Sequence, residues 1–289
     1  MARLGYVGLG IMGGPMARHL ATAKHSMTVY NRTTAKADTW VKQHGGARVL
    51  TPREVAQASD VVLMCVGNDD DVRSVVFGAD GILAGLKTGG ILVDHTTASA
   101  TIAREIAGAC AKQGCGFVDA PVSGGQAGAE NGQLTIMCGS NDSATFDAIE
   151  PIIAAYAKRS KLLGTAGSGQ LAKMVNQICI AGIAQGLSEA LNFAMRAGLD
   201  PDDVVDVISK GAAQSWQMEN RAKTMVRNEF EFGFAVEWMR KDLGICFDEA
   251  SRNGAQLPMT EMVDKFYEEV VAMGGKRWDT SSLIARLTD

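Results

Sequence analysis

The 289-residue chain has no excess of positive charge, no closely paired cysteines, few aromatic side chains and no apolar run of membrane length. Its net charge is −4, so no broad basic field is available for nucleic acid or an anionic membrane, and neither is expected as a partner. An anionic ligand must therefore be held by a local site. The run Val61–Val66 is too short to span a bilayer. The six cysteines, at 65, 110, 115, 138, 179 and 246, contain no CxxC pair, and several lie in apolar runs. That pattern argues against a disulfide framework or a zinc site and for reduced, buried thiols. No metal is expected. Met1–Val7 enters a strand-like run without a charged and then apolar leader, so no signal peptide and a cytoplasmic location are expected.

What is present is a globular composition, 46% hydrophobic and 21% charged, in a chain long enough for two domains. The first half alternates short apolar runs with helical patterns. Strands are predicted over Leu4–Val7, Met27–Tyr30, Val61–Val66, Ile91–Asp94, Phe117–Ala120 and Leu134–Cys138. Helices are predicted over Gly14–Ala23, Thr34–Gln43 and Thr101–Gln113, among others. This alternation predicts a parallel sheet with helices on both faces. From Gln170 to Ala197 the pattern is continuously helical, and no strand pattern follows Gly164. Further helices are expected near 201–210, 214–228, 236–253 and 258–274. The expected organisation is an α/β Rossmann-like domain over residues 1–164 and an all-α domain over 165–289, linked by the long helix, with the active site in the cleft.

Gly8-Leu9-Gly10-Ile11-Met12-Gly13 follows the first strand and opens the first helix. Gly8 permits a tight turn, Gly10 lets the backbone approach a pyrophosphate, and Gly13 lets helix and strand pack closely. The helix start offers N–H groups and a positive dipole to phosphate. A dinucleotide site is expected here. The second strand ends Asn31-Arg32-Thr33, where NAD sites carry an acid for the ribose hydroxyls. A neutral Asn31, a guanidinium at Arg32 and a hydroxyl at Thr33 suit a 2′-phosphate, so NADP is the expected cofactor and NAD the weaker alternative.

Asp119-Ala120-Pro121-Val122-Ser123-Gly124-Gly125 follows a strand, where doubly wound sheets bind ligands. The Ser123 hydroxyl and the unobstructed N–H groups of Gly124 and Gly125 make a cradle for a small carboxylate. Lys173 and Asn176 lie three apart on the long helix among apolar neighbours. Lys173 either snorkels or works on a carbonyl, where an ammonium can donate a proton to a forming alkoxide. Asn176 could orient the hydroxyl or hold Lys173. Arg240-Lys241-Asp242 reads by itself as a solvated charge cluster, with Asp242 able to pair with either base. His95 reads as a hydrogen-bonded structural histidine, and His19, His25 and His44 as surface residues.

Together these segments resemble the β-hydroxyacid dehydrogenase family, which includes 3-hydroxyisobutyrate dehydrogenase, tartronate semialdehyde reductase and the glyoxylate/succinic semialdehyde reductases. The resemblance rests on Gly8–Gly13 with Met16-Ala17, Asp119–Gly125 with Gly128-Ala129, Gly167–Asn176, Lys241-Asp242-Leu243 and Gly254–Pro258. It implies Lys173 as catalytic acid/base, Asn176 as its assistant, Ser123, Gly124 and Gly125 on the substrate carboxylate, and Lys241 at the cofactor–substrate cleft. It also places Val66 and Thr96 against the cofactor and implies a homodimer or homotetramer. The expected activity is interconversion of a small β-hydroxy acid and its semialdehyde, favouring reduction. An imine reductase, another hydroxy-acid dehydrogenase on the same scaffold and a non-catalytic NADP-binding module are the alternatives. Gln177, where many members have a second asparagine, and Ser140, where glycine is common, depart from the pattern. Gln214–Met218 and Phe230–Trp238 match no substrate subclass.

Overall fold

Short apolar runs in the strands, helical periodicity between them and glycine at the turns build the first half of the chain. The computed structural model describes residues 1–288 and divides into two compact units, Met1–Lys173 and Met174–Asp289.

In the first unit six parallel strands form one sheet. They are β1 (Arg3–Val7), β2 (Ser26–Tyr30), β3 (Ala47–Arg48), β4 (Val61–Met64), β5 (Ile91–Asp94) and β6 (Gly116–Asp119), in the order β3-β2-β1-β4-β5-β6. The intervening helices are α1 (Gly13–Thr22), α2 (Thr34–His44), α3 (Pro52–Gln57), α4 (Asp69–Phe77) and α5 (Ala100–Lys112). Successive strand residues point to opposite faces. Leu63, Val93 and Val118 therefore join Met16, Leu20 and Trp40 on one face, while Val62, Leu92 and Phe117 join Val55, Ile102 and Ile106 on the other. Burial on both faces is what a helix-covered parallel sheet requires. The chain runs outward from β1 to β3 and then returns to β4 beside β1, so the strand order reverses between β1 and β4. Such reversals leave a crevice at the strands' carboxyl ends, where ligands bind in this architecture.

A second, three-stranded sheet completes this unit: β7 (Val122–Ser123), β8 (Leu134–Cys138) and β9 (Ala157–Leu162), with α6 (Gly125–Glu130) and α7 (Ser143–Ile153) between them. β7 and β8 are antiparallel, β8 and β9 parallel.

The long helix α8 (Ser168–Arg196) begins in the first unit and continues into the second. It is the one described helix long and apolar enough to cross a membrane. Its Ala181, Ala184, Leu187 and Leu191 are instead buried in the core of the second unit. They pack there with residues of α10 (Trp216–Val226), α11 (Val236–Asn253) and α12 (Pro258–Ala272), which follow the short α9 (Pro201–Ile208). Asp200 caps α9 ahead of Pro201, as expected of that pair. A last turn, α13 (Ala285–Thr288), ends the described chain. None of the six cysteines is in a disulfide; Cys110, Cys138 and Cys246 are buried and Cys179 is exposed.

Candidate active site

The β1–α1 loop lies at the strand-order reversal. Gly8 has φ +95°, and a Cβ there would stand 2.2 Å from the Cys65 carbonyl oxygen, just beyond β4. A Cβ on Gly13 would stand 1.9 Å from the Gly8 carbonyl oxygen. These two glycines are thus demanded by the protein's own backbone. Gly10 is different: a Cβ on it would meet nothing within 4 Å. Met12, at the start of α1, supplies no side-chain cap, and the first turn carries no acid. Leu9 and Ile11 flank Gly10, Leu9 buried and Ile11 exposed. Backbone N–H groups, a positive helix end and an open approach over Gly10 suit a pyrophosphate.

Asn31 braces this loop. Its Oδ1 accepts from Leu9 N at 2.9 Å, and its Nδ2 donates to Thr33 O at 3.0 Å. The next residue, Arg32, is 85% exposed and pairs through Nη1 with Asp71 Oδ1 at 3.0 Å. Thr33 precedes α2 without capping it. A groove lined by Leu9, Lys36 and Trp40 brings a second base beside this strand end.

Further along the same edge, Val66 N donates to Thr96 Oγ1 at 3.0 Å, which joins the two expected cofactor contacts. Thr96 N in turn donates to Asp94 Oδ1 at 2.8 Å. Burial pushes the Asp94 carboxyl up to about 7, against the opposing effect of the Thr96 bonds. His95 is buried, with Nδ1 2.7 Å from Ala120 O and Nε2 2.8 Å from the Tyr156 hydroxyl. A carbonyl only accepts, so Nδ1 carries the proton and Nε2 accepts from Tyr156. Burial lowers His95 to about 4 and keeps it neutral. It is a structural histidine. His19 is half-buried rather than a plain surface residue, with Nε2 3.0 Å from Ala129 O.

Ser123 ends β7 half-buried, and Gly124 and Gly125 follow exposed, with φ +131° and +62°. Side chains rarely adopt two consecutive positive φ values, so this turn favours glycine. Lys173 lies one turn into α8 and is only 7% exposed. The helix start is anchored by Asp119 at the end of β6. Its Oδ1 accepts from Gly167 N at 2.7 Å, and its Oδ2 from Gln170 N at 2.9 Å. Burial pushes this carboxyl up to about 6, against those N–H bonds.

In the second unit, Asn176 Nδ2 donates to Gln177 Oε1 at 2.8 Å and Gln177 Nε2 donates to Asp242 Oδ2 at 2.6 Å. The Lys241 ammonium lies 3.0 Å from Asp242 Oδ1, an ion pair rather than a directed hydrogen bond. Asn176 and Lys241, 65 residues apart, are thereby joined in one network through a buried carboxylate. Arg240 pairs instead with Asp264. The solvated-cluster reading therefore fails for Asp242, which is buried, and for Lys241, which is largely covered. Among the described residues no group of three His, Cys, Asp or Glu side chains is placed to hold a metal ion.

Comparison with known proteins decides what this arrangement belongs to. Residues 3–167 match the NAD-binding domain of 6-phosphogluconate dehydrogenase, and residues 167–287 match the NAD-binding region of NADP-dependent 3-hydroxyisobutyrate dehydrogenase. The chain is 35% identical to 2-hydroxy-3-oxopropionate reductase of Escherichia coli, over 99% of this chain and 97% of that protein. The chain belongs to the β-hydroxyacid dehydrogenase family. An uncharacterized oxidoreductase of Shewanella frigidimarina is 61% identical, over 99% of this chain and 98% of its own length. The solved structure of 3-hydroxyisobutyrate dehydrogenase from Mycobacterium tuberculosis with L-serine aligns over 100% of both chains, with a TM-score of 0.90 and 28% identity.

As a β-hydroxyacid dehydrogenase the protein is an oxidoreductase with an NAD(P)-binding Rossmann-like unit and a helical C-terminal unit. Motif reading left three parts of its site without roles. Asp119 was legible only as part of a loop, Gln170 only as a helix residue, and Asp71 not at all. A glutamine three residues before the lysine was all the sequence offered, and its burial and its partners come only from the structure.

Proposed function

We propose that this β-hydroxyacid dehydrogenase reduces a small aldehyde acid to its β-hydroxy acid with NADPH, with Lys173 donating the proton. The observation that carries this reading is a nearly buried lysine one turn into a helix whose start is bonded to the end of β6. It belongs to the same compact unit as the Gly8–Gly13 loop, the Val66–Thr96 pair and the Ser123–Gly125 turn. NADPH would supply the hydride. The chain's own groups supply everything else. Ser123 and the N–H groups of Gly124 and Gly125 hold the substrate carboxylate. An ammonium at Lys173 hydrogen-bonds the carbonyl oxygen, polarises it and passes a proton to the alkoxide as charge develops. Asn176, tied through Gln177 to Asp242, steadies the reacting hydroxyl, and Lys241 is held at the same network. Reduction is the favoured direction because a protonated amine is ready to donate, whereas oxidation needs it neutral first.

The test is NADPH oxidation with glyoxylate, succinic semialdehyde, tartronate semialdehyde and methylmalonate semialdehyde, and NADP⁺ reduction with the matching hydroxy acids, at neutral pH. Turnover of at least one aldehyde, faster than the reverse reaction, is expected. Absence of aldehyde turnover with all four would leave an imine reductase or a non-catalytic NADP binder as the better description.

Preference for NADPH rests on Arg32, with Lys36 beside it. Arg32→Ala removes a charge-assisted contact to the 2′-phosphate, so kcat/KM for NADPH should fall about 10-fold or more while that for NADH stays within about 2-fold. Equal losses with both cofactors would remove Arg32 from this role. The same proposal includes a cytoplasmic homodimer or homotetramer. Val175, Ile183 and Phe193 leave apolar surface exposed on the helical unit, which supports assembly.

A further inference from the structure

Gln170 is 1% exposed, and both ends of its amide are in use. Oε1 accepts from Ala98 N at 3.0 Å and Nε2 donates to Thr96 O at 2.7 Å. Its own N–H is the one received by Asp119 Oδ2. The side chain therefore grips the loop after β5 while the backbone is fixed to the end of β6. That loop is the one whose Thr96 hydroxyl accepts from Val66 N. Lys173 is three residues further along α8, on the same helix face as Gln170.

The fixture has little room to give. A Cβ on Gly139 would stand 2.5 Å from Asp119 Oδ1, and one on Gly169 would stand 2.8 Å from Asp119 Oδ2. Packing alone does not ask for a glutamine here, because a leucine of similar volume would fill a buried site without a desolvation cost. The amide is matched instead to one donor and one acceptor two residues apart on an irregular loop.

We infer that Gln170, seated by Asp119, is the positioning residue that sets the Lys173 amine against the cofactor edge at Val66 and Thr96. This rests on the reading of Lys173 as proton donor. Loss of the grip lets the first turn of α8 shift relative to the loop, and a displacement on the order of 1 Å can cost about 10²-fold in rate.

The experiment uses the full-length enzyme with Q170L and Q170E. Q170E keeps the size and the acceptor facing Ala98 but loses the donor facing Thr96, and it serves if Q170L does not fold. The first readout needs no substrate: the rate at which Lys173 is acylated by a water-soluble lysine reagent, read by peptide mass spectrometry with and without NADPH. NADPH should protect Lys173 several-fold in the wild type and little in either variant, while NADPH affinity by fluorescence titration is retained. The second readout is kinetic, with the best aldehyde acid of the four above. There kcat should fall about 10-fold or more with KM little changed. The isotope effect from NADPH deuterated at the transferred position should rise as hydride transfer becomes limiting. Undiminished protection of Lys173 in the variants would overturn the positioning role. No protection in the wild type would overturn the placement of Lys173 itself, and with it the proposed chemistry.

Discussion

Lys173→Ala is expected to lower kcat about 100-fold or more while NADPH affinity stays near the wild-type value. Such a loss corresponds to roughly 2.7 kcal/mol of transition-state stabilisation. The amine is nearly buried, so its removal takes away a donor that bulk water cannot replace at the same place. Cofactor affinity should survive because the proposed NADPH site uses the Gly8–Gly13 loop and Arg32, both remote in sequence from α8. Lys173→Arg sharpens the test. It keeps the positive charge, yet a guanidinium stays protonated and does not serve as a proton donor. Its turnover should be as low as that of the alanine variant. Small primary amines added to the alanine variant should restore part of the activity. Wild-type turnover in Lys173→Ala would remove the lysine from the chemistry, whatever the fold.

The parts of this enzyme that were legible in its sequence are those carried by local pattern. β5 and β8 fall on the predicted residues, and α11 spans 236–253 as expected, because each has a distinct apolar run or period and a clear boundary. The run Val61–Val66 loses its last two residues as strand. Cys65 N still donates to Val7 O at 2.9 Å, but Val66 N turns from the sheet to the Thr96 hydroxyl, so the regular ladder ends at Met64. β3 and β7 are two residues each, too short for any period to register. β9, Ala-Lys-Arg-Ser-Lys-Leu, is polar, half exposed and nowhere fully buried at a sheet edge, so its sequence resembles a loop. The backbone demands on Gly8 and Gly13 were readable because spacing alone carries them. Gln170 and Asp119 were not, since their partners lie 48–74 residues away in the chain. The same holds for Gln177 and Asp242, 65 apart, whose bond depends on how α8 and α11 pack. Side chains that position others leave no local period, and only the tertiary contacts show what they hold.

Gly10→Ala and Gly13→Ala should separate folding from cofactor binding. A methyl on Gly13 would collide with the Gly8 carbonyl oxygen at 1.9 Å and crowd Tyr6 Cε1 at 3.1 Å. Neither the loop carbonyl nor the buried tyrosine can retreat easily. Helix α1 would have to lift from β1, carrying the buried Met16, Ala17 and Leu20 with it. The expected cost is about 2–3 kcal/mol, the upper part of the range for overpacked sites. Thermal melting should fall, and NADPH binding should be lost with it because the N–H groups of the loop are displaced. Gly10→Ala meets no protein atom within 4 Å, and Gly10 does not hold a positive φ. Its stability should stay within about 0.5 kcal/mol of wild type. Yet the methyl would stand where the pyrophosphate must approach, so NADPH affinity should drop about 10-fold or more, because binding pockets tolerate inserted atoms poorly when backbone forms the wall. Melting curves and fluorescence titrations on the two variants check both halves. A Gly10→Ala protein that binds NADPH normally would mean the open side of this loop is not the phosphate-facing side.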